Sequence, residues 1–308
     1  MRQQLIIDCD PGHDDAVAIL LALQHADVHG ITTISGNAPL QAVTQNALAL
    51  MDLVDSKVPV HAGADQPLAG AKLHAQHVHG ASGFGGVSLP TPRSQCASND
   101  AVGFLLAASR EIADLWIVAI GPLTNIALAI AKDPQFVRRI RGISIMGGST
   151  SVGNATATAE FNVLADPEAA ASVFSSGANL MMCGLNLTRQ LMTDDAFIDP
   201  LREQGVIPQL VTDLYTHMHE RMVALTGERR SALHDPCAVL ALTHPELIRF
   251  EARFANVELN GTLTRGMTVV DERVAPPGKP RNPANVEVAY EIDAAEAKAV
   301  ILAALLAH

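Results

Sequence analysis

The sequence contains few aromatic residues, few cysteines and no long apolar run. Aromatic residues make up 4% of its 308 residues, so aliphatic side chains and alanine must fill the core. The four cysteines are scattered without CxxC spacing, which argues against a disulfide framework or a zinc site. No basic segment precedes an apolar one at the N-terminus, and no apolar run reaches membrane-spanning length. We therefore expect a cytoplasmic protein with no membrane partner.

Basic residues are outnumbered as well. The 32 acidic residues exceed the 21 lysines and arginines and give a net charge of −11, which argues against a nucleic-acid partner. A hydrophobic content of 48% is enough for a sizeable core. The length fits one large α/β domain or two ordinary ones. Because the sequence has no internal repeat and no low-complexity linker, we expect a single domain over residues 1–308.

Short apolar runs alternate with helical patterns over the first 190 residues. Strand candidates lie at 5–7, 31–34, 58–61, 116–120, 143–146 and 180–183. Helix candidates lie at 16–23, 40–54, 100–112, 124–131 and 167–175. This alternation predicts an α/β fold with a mostly parallel central sheet flanked by helices. In such folds, ligands bind beyond the carboxyl ends of the strands.

The pattern changes after residue 190. Two long amphipathic runs occupy 194–204 and 207–225. Strand-like alternation follows at 252–259 and 267–270, which predicts extra small antiparallel strands near the C-terminus. A further strand candidate at 286–290 precedes a closing helix that runs through residue 307.

Residues 8–15 place four carboxylates directly after the first strand candidate. Such like charges repel each other, and a bound Ca²⁺ or Mg²⁺ with oxygen ligands would relieve the repulsion. Asp10, at the strand end, and Asp15 are the better candidates for metal contact, and Asp235 offers a carboxylate from a distant segment. The alternative is that Asp14 and Asp15 merely occupy a first helical turn and that Asp235 is an N-cap.

Two further segments carry candidate binding residues. Asn154, Glu160 and Asn162 supply the mixed donors and acceptors that hold a polyhydroxyl ligand such as a sugar. The alternative is that their segment is a solvated loop with local turns. His79 lies in the Gly-rich loop 77–86, and loops of this kind often carry functional residues.

Together, these segments resemble the nucleoside hydrolase family, the inosine-uridine preferring ribonucleoside hydrolases. The matching motifs follow in family order at 8–16, 36–37, 121–125, 146–148, 159–162 with 166–170, and 234–236. The resemblance spans nearly the whole chain. It implies a Rossmann-like nucleoside hydrolase fold and a homo-oligomer, either a dimer or a tetramer.

The resemblance also implies an activity. The expected reaction is Ca²⁺-dependent hydrolysis of the N-glycosidic bond of a ribonucleoside such as inosine, uridine or cytidine, in nucleoside salvage or catabolism. The metal ligands that it implies are Asp10, Asp15, Asp235 and the backbone carbonyl of Ile120. The sugar-binding residues that it implies are Asp14, Asn37, Asn154, Glu160 and Asn162, with Met146 beneath the sugar. Asp10 would also take the proton of the attacking water, and His234 or His79 would protonate the leaving base.

The base-recognition segment departs from the family pattern. In several purine-accepting relatives a tyrosine stacks on the base, and its approximate counterpart here is His219, with Tyr215 one turn earlier. The following stretch, 222–232, is longer and basic, with Arg229 and Arg230. The preference for purine or pyrimidine bases therefore stays open.

Two other classes of protein share part of the pattern. A haloacid-dehalogenase-type phosphatase would use Asp8 as its nucleophile, but this reading leaves the later motifs unexplained. A non-catalytic nucleoside-binding protein would keep the sugar-binding residues and would not need the metal ligands, which this chain retains. The later motifs and the retained metal ligands therefore favour a nucleoside hydrolase over both alternatives.

Overall fold

The computed structural model describes residues 2–75, 80, 82–273 and 282–308. Its strands are β1 (Gln4–Cys9), β2 (Asp27–Thr33), β3 (Val60–Ala62), β4 (Leu115–Ala119), β5 (Gly142–Met146), β6 (Leu180–Cys183), β7 (Met192–Thr193), β8 (Ser231–Ala232), β9 (Ile248–Arg253), β10 (Ala255–Val257), β11 (Thr268–Val270) and β12 (Val286–Ile292).

Its α-helices are α1 (His13–His25), α2 (Leu40–Leu53), α3 (Ala101–Glu111), α4 (Thr124–Lys132), α5 (Phe136–Arg139), α6 (Phe161–Ala165), α7 (Pro167–Phe174), α8 (Leu185–Thr188), α9 (Asp195–Ile198), α10 (Val206–Thr226), α11 (Pro236–Thr243) and α12 (Ala294–Leu306). Short 3-10 turns are Asp199–Leu201 and Pro245–Leu247.

Eight of the described strands form the central sheet, in the order β3-β2-β1-β4-β5-β6-β12-β9. Pairing is parallel throughout, except that β9 runs antiparallel to β12 at the edge. The predicted fold class is therefore confirmed, including the small antiparallel pair β10–β11 near the C-terminus. The order of the strands reverses at β1, which pairs with both β2 and β4, and this reversal opens a crevice beyond their carboxyl ends.

Helices cover both faces of the sheet, so most strand residues are buried on both sides. Along β1, Leu5, Ile7 and Cys9 face the cluster that contains α1, whereas Ile6 packs into the cluster on the opposite face. Every residue of α1 from 13 to 22 is buried. Among the described residues, no helix has both the length and the hydropathy needed to cross a membrane.

Most predicted elements agree with the structure to within three residues. The strand predicted at 31–34 begins four residues earlier, at Asp27, and two further runs differ more. The run 252–259 is divided between β9, which pairs with β12, and β10, which pairs with β11 in a separate sheet. The run 194–204 holds only the short helix α9 and a 3-10 turn. Pro200 lies at the start of that turn, where it cannot continue the hydrogen bonding of α9.

Candidate active site

A cavity of about 500 Å³ lies beyond the carboxyl ends of the central strands. The residues that follow β1, β2, β4 and β5 line one part of it, and residues from 185 to 235 line the rest. The cavity thus occupies the crevice at which the strand order reverses. All the sugar-binding residues implied by the family resemblance line it.

Buried carboxylates gather at one end of the cavity, and two of them, Asp14 and Asp235, line it. Carboxylate oxygens of Asp14, Asp15 and Asp235 lie within 4.8 Å of one another. Asp10 joins them from the end of β1, and its backbone N–H donates to Asp15 Oδ1 at 3.2 Å. Burial, followed by the neighbouring carboxylates, raises the pKa of Asp10 and of Asp235 well above the ordinary range. The same causes raise the pKa of Asp15 to about 7.

The two oxygens of Asp10 have different surroundings. Oδ2 accepts the backbone N–H of Asn37 at 2.6 Å, whereas Oδ1 is buried and has no hydrogen-bond partner among the described residues. A Cβ atom at Gly36 would overlap Oδ2, and one at Gly121 would lie 2.7 Å from Oδ1. The backbone of two loops thus closes around this carboxylate, and the absence of a side chain at both glycines makes the approach possible.

The carboxylate cluster fits a hard cation. The neighbouring His13, whose Nε2 lies 3.7 Å from Asp14 Oδ1, is neutral because burial lowers its pKa to about 3. Four acidic side chains would therefore repel one another if all were ionised, and a divalent ion with oxygen ligands offsets that repulsion. The backbone carbonyl of Ile120 accepts Asn162 Nδ2 at 3.0 Å and keeps a second lone pair for an ion. Asp235 stands at the N-cap of α11 but makes no side-chain cap hydrogen bond, so the simple capping role is wrong.

The alternative that Asp14 and Asp15 merely occupy a first helical turn is correct in part. Asp14 and Asp15 do occupy the first turn of α1, and Asp15 Oδ2 accepts the backbone N–H of Gly12 at 2.9 Å. Asp15 therefore closes the start of its own helix while it also belongs to the carboxylate cluster.

Asp8, the remaining acid of the 8–15 motif, lies outside the cluster. Its Oδ1 accepts Thr32 Oγ1 at 2.5 Å and Asn125 Nδ2 at 2.8 Å, and burial raises its pKa to about 7. Asp8 does not line the cavity. It ties β1 to β2 and to α4 instead of facing a ligand.

Polar side chains extend from the carboxylate cluster along one side of the cavity. We call this surface the polar wall, formed by Asp14, Asn37, Asn154, Glu160, Asn162 and Asp235. The carboxylate of Glu160 accepts the backbone N–H groups of Gly148, Asn162 and Val163, so it also begins α6. Met146 lines the cavity beside this wall, and its carbonyl accepts Asn162 Nδ2 at 3.1 Å.

Asn154 is the most exposed member of the polar wall. Its Oδ1 accepts the backbone N–H of Phe161 at 2.9 Å, a bond within its own loop. The reading of this segment as a loop with local turns is thus correct for Asn154, although the residue also lines the cavity.

Histidines border the cavity at its acidic end. His234 Nδ1 lies 2.7 Å from Thr188 Oγ1, and burial lowers the pKa of His234 while Asp14 opposes that effect. His234 is therefore less readily protonated at neutral pH than an ordinary histidine. His13, which the sequence analysis did not single out, also lines the cavity, and burial lowers its pKa to about 3. Its position directly before Asp14 was the available signal. His79 lies outside the described residues.

Three methionines line the cavity away from the strand ends. We call them the thioether wall: Met192 on β7, and Met218 and Met222, one turn apart on α10. Sequence reasoning missed all three, because methionines at helical spacing are more often core residues. Arg189 and Arg230 also line this region.

His219 is turned away from the cavity, contrary to its expected place beside the base. It is fully buried, with Nε2 3.1 Å from Thr193 Oγ1 and Nδ1 3.5 Å from Asp195 Oδ1. Tyr215 is also fully buried and does not line the cavity. Asp195 in turn pairs with Arg229 at 2.8 Å. These residues stand behind the thioether wall.

Arg230 differs from Arg229, its neighbour in sequence. It lines the cavity, and its Nε donates to Glu228 at 2.7 Å. Of the two arginines in the basic stretch, Arg229 thus pairs with Asp195 and Arg230 lines the cavity.

The comparisons with known proteins agree over nearly the whole chain. The family model described as inosine-uridine preferring nucleoside hydrolase matches residues 5–299. The chain is 40% identical over 303 residues to an inosine-uridine preferring nucleoside hydrolase of Leishmania major, covering 95% of this chain and 94% of the relative. It is 39% identical over 305 residues to the pyrimidine-specific ribonucleoside hydrolase RihA of Shewanella woodyi, covering 96% and 95%.

A solved structure agrees as well. The purine-preferring ribonucleoside hydrolase from Gardnerella vaginalis superposes with a TM-score of 0.92 at 29% identity, covering 99% of this chain and 98% of that one. The names of these relatives differ in the bases that they specify, so similarity alone does not assign a base to this cavity.

Proposed function

Because the chain belongs to the inosine-uridine preferring nucleoside hydrolase family, and is thus a ribonucleoside hydrolase acting on N-glycosyl bonds, we propose that it requires Ca²⁺ and accepts inosine, uridine and cytidine. The observation that carries the proposal is the position of the carboxylate cluster at one end of the cavity, beside the polar wall. A sugar on that wall would have its hydroxyls next to the cluster. A role in nucleoside salvage or catabolism follows from the products, ribose and a free base.

The polar wall would hold the ribose. Asn37 and Asn162 direct amide nitrogens to backbone and carboxylate acceptors, and these bonds fix both side chains. Asp14, Asn154 and Glu160 would bind further sugar hydroxyls, with Met146 beneath the ring. Cleavage of the C–N bond develops positive charge on the sugar, and the carboxylate and amide oxygens of this wall stabilise that charge.

Asp10 would act as the general base. Its Oδ2 is held by the Asn37 N–H, and its unpartnered Oδ1 can accept the proton of the attacking water. Ca²⁺ would be held by Asp10, Asp15, Asp235 and the carbonyl of Ile120, and it would supply positive charge that orients the ribose diol and acidifies a water. Asp14, whose oxygens lie within 4.8 Å of those of Asp15 and Asp235 and which lines the cavity, would contact the sugar beside the ion.

The leaving base needs a proton, and His234 would donate it. His234 lines the cavity next to Asp235, so it would lie beside a sugar bound on the polar wall, and its Nδ1 is engaged with Thr188, which leaves Nε2 for the ligand. Asp14 favours the protonated form of His234 against the effect of burial. His79 is the second candidate for this role.

The deciding experiment measures base release from inosine, uridine, cytidine and adenosine, with and without a chelator. We expect hydrolysis of the first three, loss of activity on chelation and recovery when Ca²⁺ is added back. Hydrolysis at an unchanged rate after complete metal removal would contradict the Ca²⁺ requirement. Binding of nucleosides without base release would instead support the non-catalytic alternative. A homo-oligomer, dimer or tetramer, stays a prediction that light scattering checks.

A further inference from the structure

The thioether wall occupies the part of the cavity that the sugar does not need. The polar wall and the carboxylate cluster come from the ends of β1, β2 and β5 and from α11, whereas Met192, Met218 and Met222 come from the segment between residues 192 and 222. A base joined to a ribose on the polar wall has this other side of the cavity available to it. Flat heteroaromatic rings favour apolar, polarizable surroundings.

Three rings of the described residues line the cavity, and one of them, His13, also borders a second, smaller cavity together with Met218. Among the described residues, they are Phe161, next to the polar wall, and the imidazoles of His13 and His234. Tyr215 and His219, on the same helix as two of the methionines, are buried away from the cavity. Of the described residues of β7 and α10, therefore, those that line the cavity are thioethers and include no aromatic ring.

The backbone behind the wall is firmly held. Thr193 Oγ1 lies 3.1 Å from His219 Nε2 and donates to the carbonyl of Ser231 at 3.0 Å, so it joins β7, β8 and α10. Met218 is 5% exposed, while Met192 and Met222 are half-buried and border the cavity. The methionine side chains, which have three rotatable bonds each, can then adapt to ligands of different size without movement of the backbone that Thr193 holds.

We propose that Met192, Met218 and Met222 form an adaptable base subsite, which accepts a purine or a pyrimidine by changing thioether rotamers and so sets the base preference of the enzyme. This inference rests on the proposed function. Sulfur contacts to aromatic rings are favourable over a range of geometries, so one wall serves both ring sizes. A rigid aromatic platform would fix a single stacking distance and orientation.

The first test compares substrates in the M218L/M222L double variant. Leucine keeps the apolar character but is branched and shorter, so it cannot follow both ring sizes. We expect the ratio of kcat/KM for inosine to kcat/KM for uridine to change by about 5-fold or more. M146L, beside the polar wall, should change both values by the same factor. M51L, a buried residue of α2 that does not line the cavity, should change neither.

The outcomes separate this inference from the proposed function. If the wild-type protein hydrolyses neither inosine nor uridine, the proposed function fails. If it hydrolyses only one of them, or if the double variant is folded by circular dichroism and keeps the wild-type ratio, the adaptable subsite is wrong. Should the double variant fail to fold, M192L and M222L, which alter half-buried residues, replace it with the same criteria.

A second measurement observes the wall directly. The protein is labelled with ε-¹³CH₃ methionine, and single leucine variants assign the signals. Ring currents of uracil or hypoxanthine, added with ribose, should shift the methyl signals of the thioether wall, and the two bases should give different patterns. Ribose alone should move only Met146. Unshifted wall signals at base concentrations that saturate inhibition of the enzyme would overturn the inference.

Discussion

The polar wall is held by backbone hydrogen bonds at the ends of parallel strands, whereas the thioether wall stands on one long helix and a strand of two residues, β7, which pairs with β8. In the polar wall the functional side chains are themselves bonded, as Glu160 is to three backbone N–H groups. In the thioether wall the bonded residues, Thr193 and His219, lie behind the side chains that face the cavity. In the polar wall, therefore, the side chains that face the cavity are held in place. In the thioether wall only the residues behind the methionines are held, so the methionine side chains are free to change rotamer.

The largest effect should come from the polar end. Asp10→Asn removes the acceptor for the water proton, so we expect kcat to fall by about 10²–10⁴-fold while ribose binding persists. Asp8→Asn is the matched control, because the same substitution two residues earlier alters a carboxylate that bonds only Thr32 and Asn125. Steady-state kinetics on uridine should show at most a 10-fold loss for this control, on the order of one weakened buried hydrogen bond. Equal losses would mean that Asp10 has a structural role.

The next prediction concerns the hydroxyls that the polar wall binds. Because the site has polar groups for each hydroxyl, a missing one leaves them unpaired, and 2′-deoxyuridine should lose about 10²-fold or more in kcat/KM against uridine. Glu160→Gln and Asn162→Ala should impair inosine and uridine by the same factor. A loss that differs between inosine and uridine in either variant would show that the polar wall also affects base preference, and the two walls would then not have separate roles.

A moderate effect is expected at His234, where the polar wall and the thioether wall meet. His234→Ala should lower kcat on a natural nucleoside by about 10²-fold, because the base then leaves without a proton. A p-nitrophenyl riboside has an activated leaving group and should be spared. Equal losses on both substrates would show that His234 positions the sugar or the ion. If neither rate changes, the acid is His79 or another group beside the base.

The smallest effect should come from the frame of the thioether wall. Burial lowers the pKa of His219 below 6.5 and outweighs Asp195, which faces it together with Arg229 and Asp194. The neutral form is thus favoured by folding, so the contribution of His219 to the free energy of unfolding is complete above pH 6.5 and declines as the pH falls through the lowered pKa.

Urea unfolding of the His219→Gln variant tests the direction in which the contribution of His219 to the free energy of unfolding changes with pH. The variant should lose about 1 kcal/mol at pH 8, on the order of one buried hydrogen bond, and less at pH 5. A loss that grows towards pH 5 would mean that His219 is charged in the folded protein. Base selectivity should change little, because the methionines and not His219 face the ligand.

Much of the fold could be predicted because most strands of the central sheet are short apolar runs that alternate with helical patterns. The division of 252–259 between two sheets could not, because alternation of apolar residues reveals a strand but not its partner. The break after α9 had a visible signal in Pro200, which amphipathic periodicity outweighed in the sequence analysis.

The polar wall and the carboxylate cluster were predictable for a different reason. Their residues follow strand ends, and the carboxyl ends of parallel strands meet at one edge of the sheet. The thioether wall depends on the rotational phase of α10, which turns Met218 and Met222 towards the cavity and His219 away from it. His219 is only the approximate counterpart of the stacking tyrosine of several relatives, and a shift of one residue along a helix turns the side chain by about 100°.

The close approach of Gly36 and Gly121 to Asp10 has a consequence for redesign. Any side chain at either position would displace the carboxylate of Asp10, so both positions are closed to variation in a mutant library. No hydrogen bond of the described structure joins Met192, Met218 or Met222 to the loops of the two glycines or to the carboxylate cluster. New base specificities can therefore be selected at three codons while the catalytic apparatus is inherited unchanged.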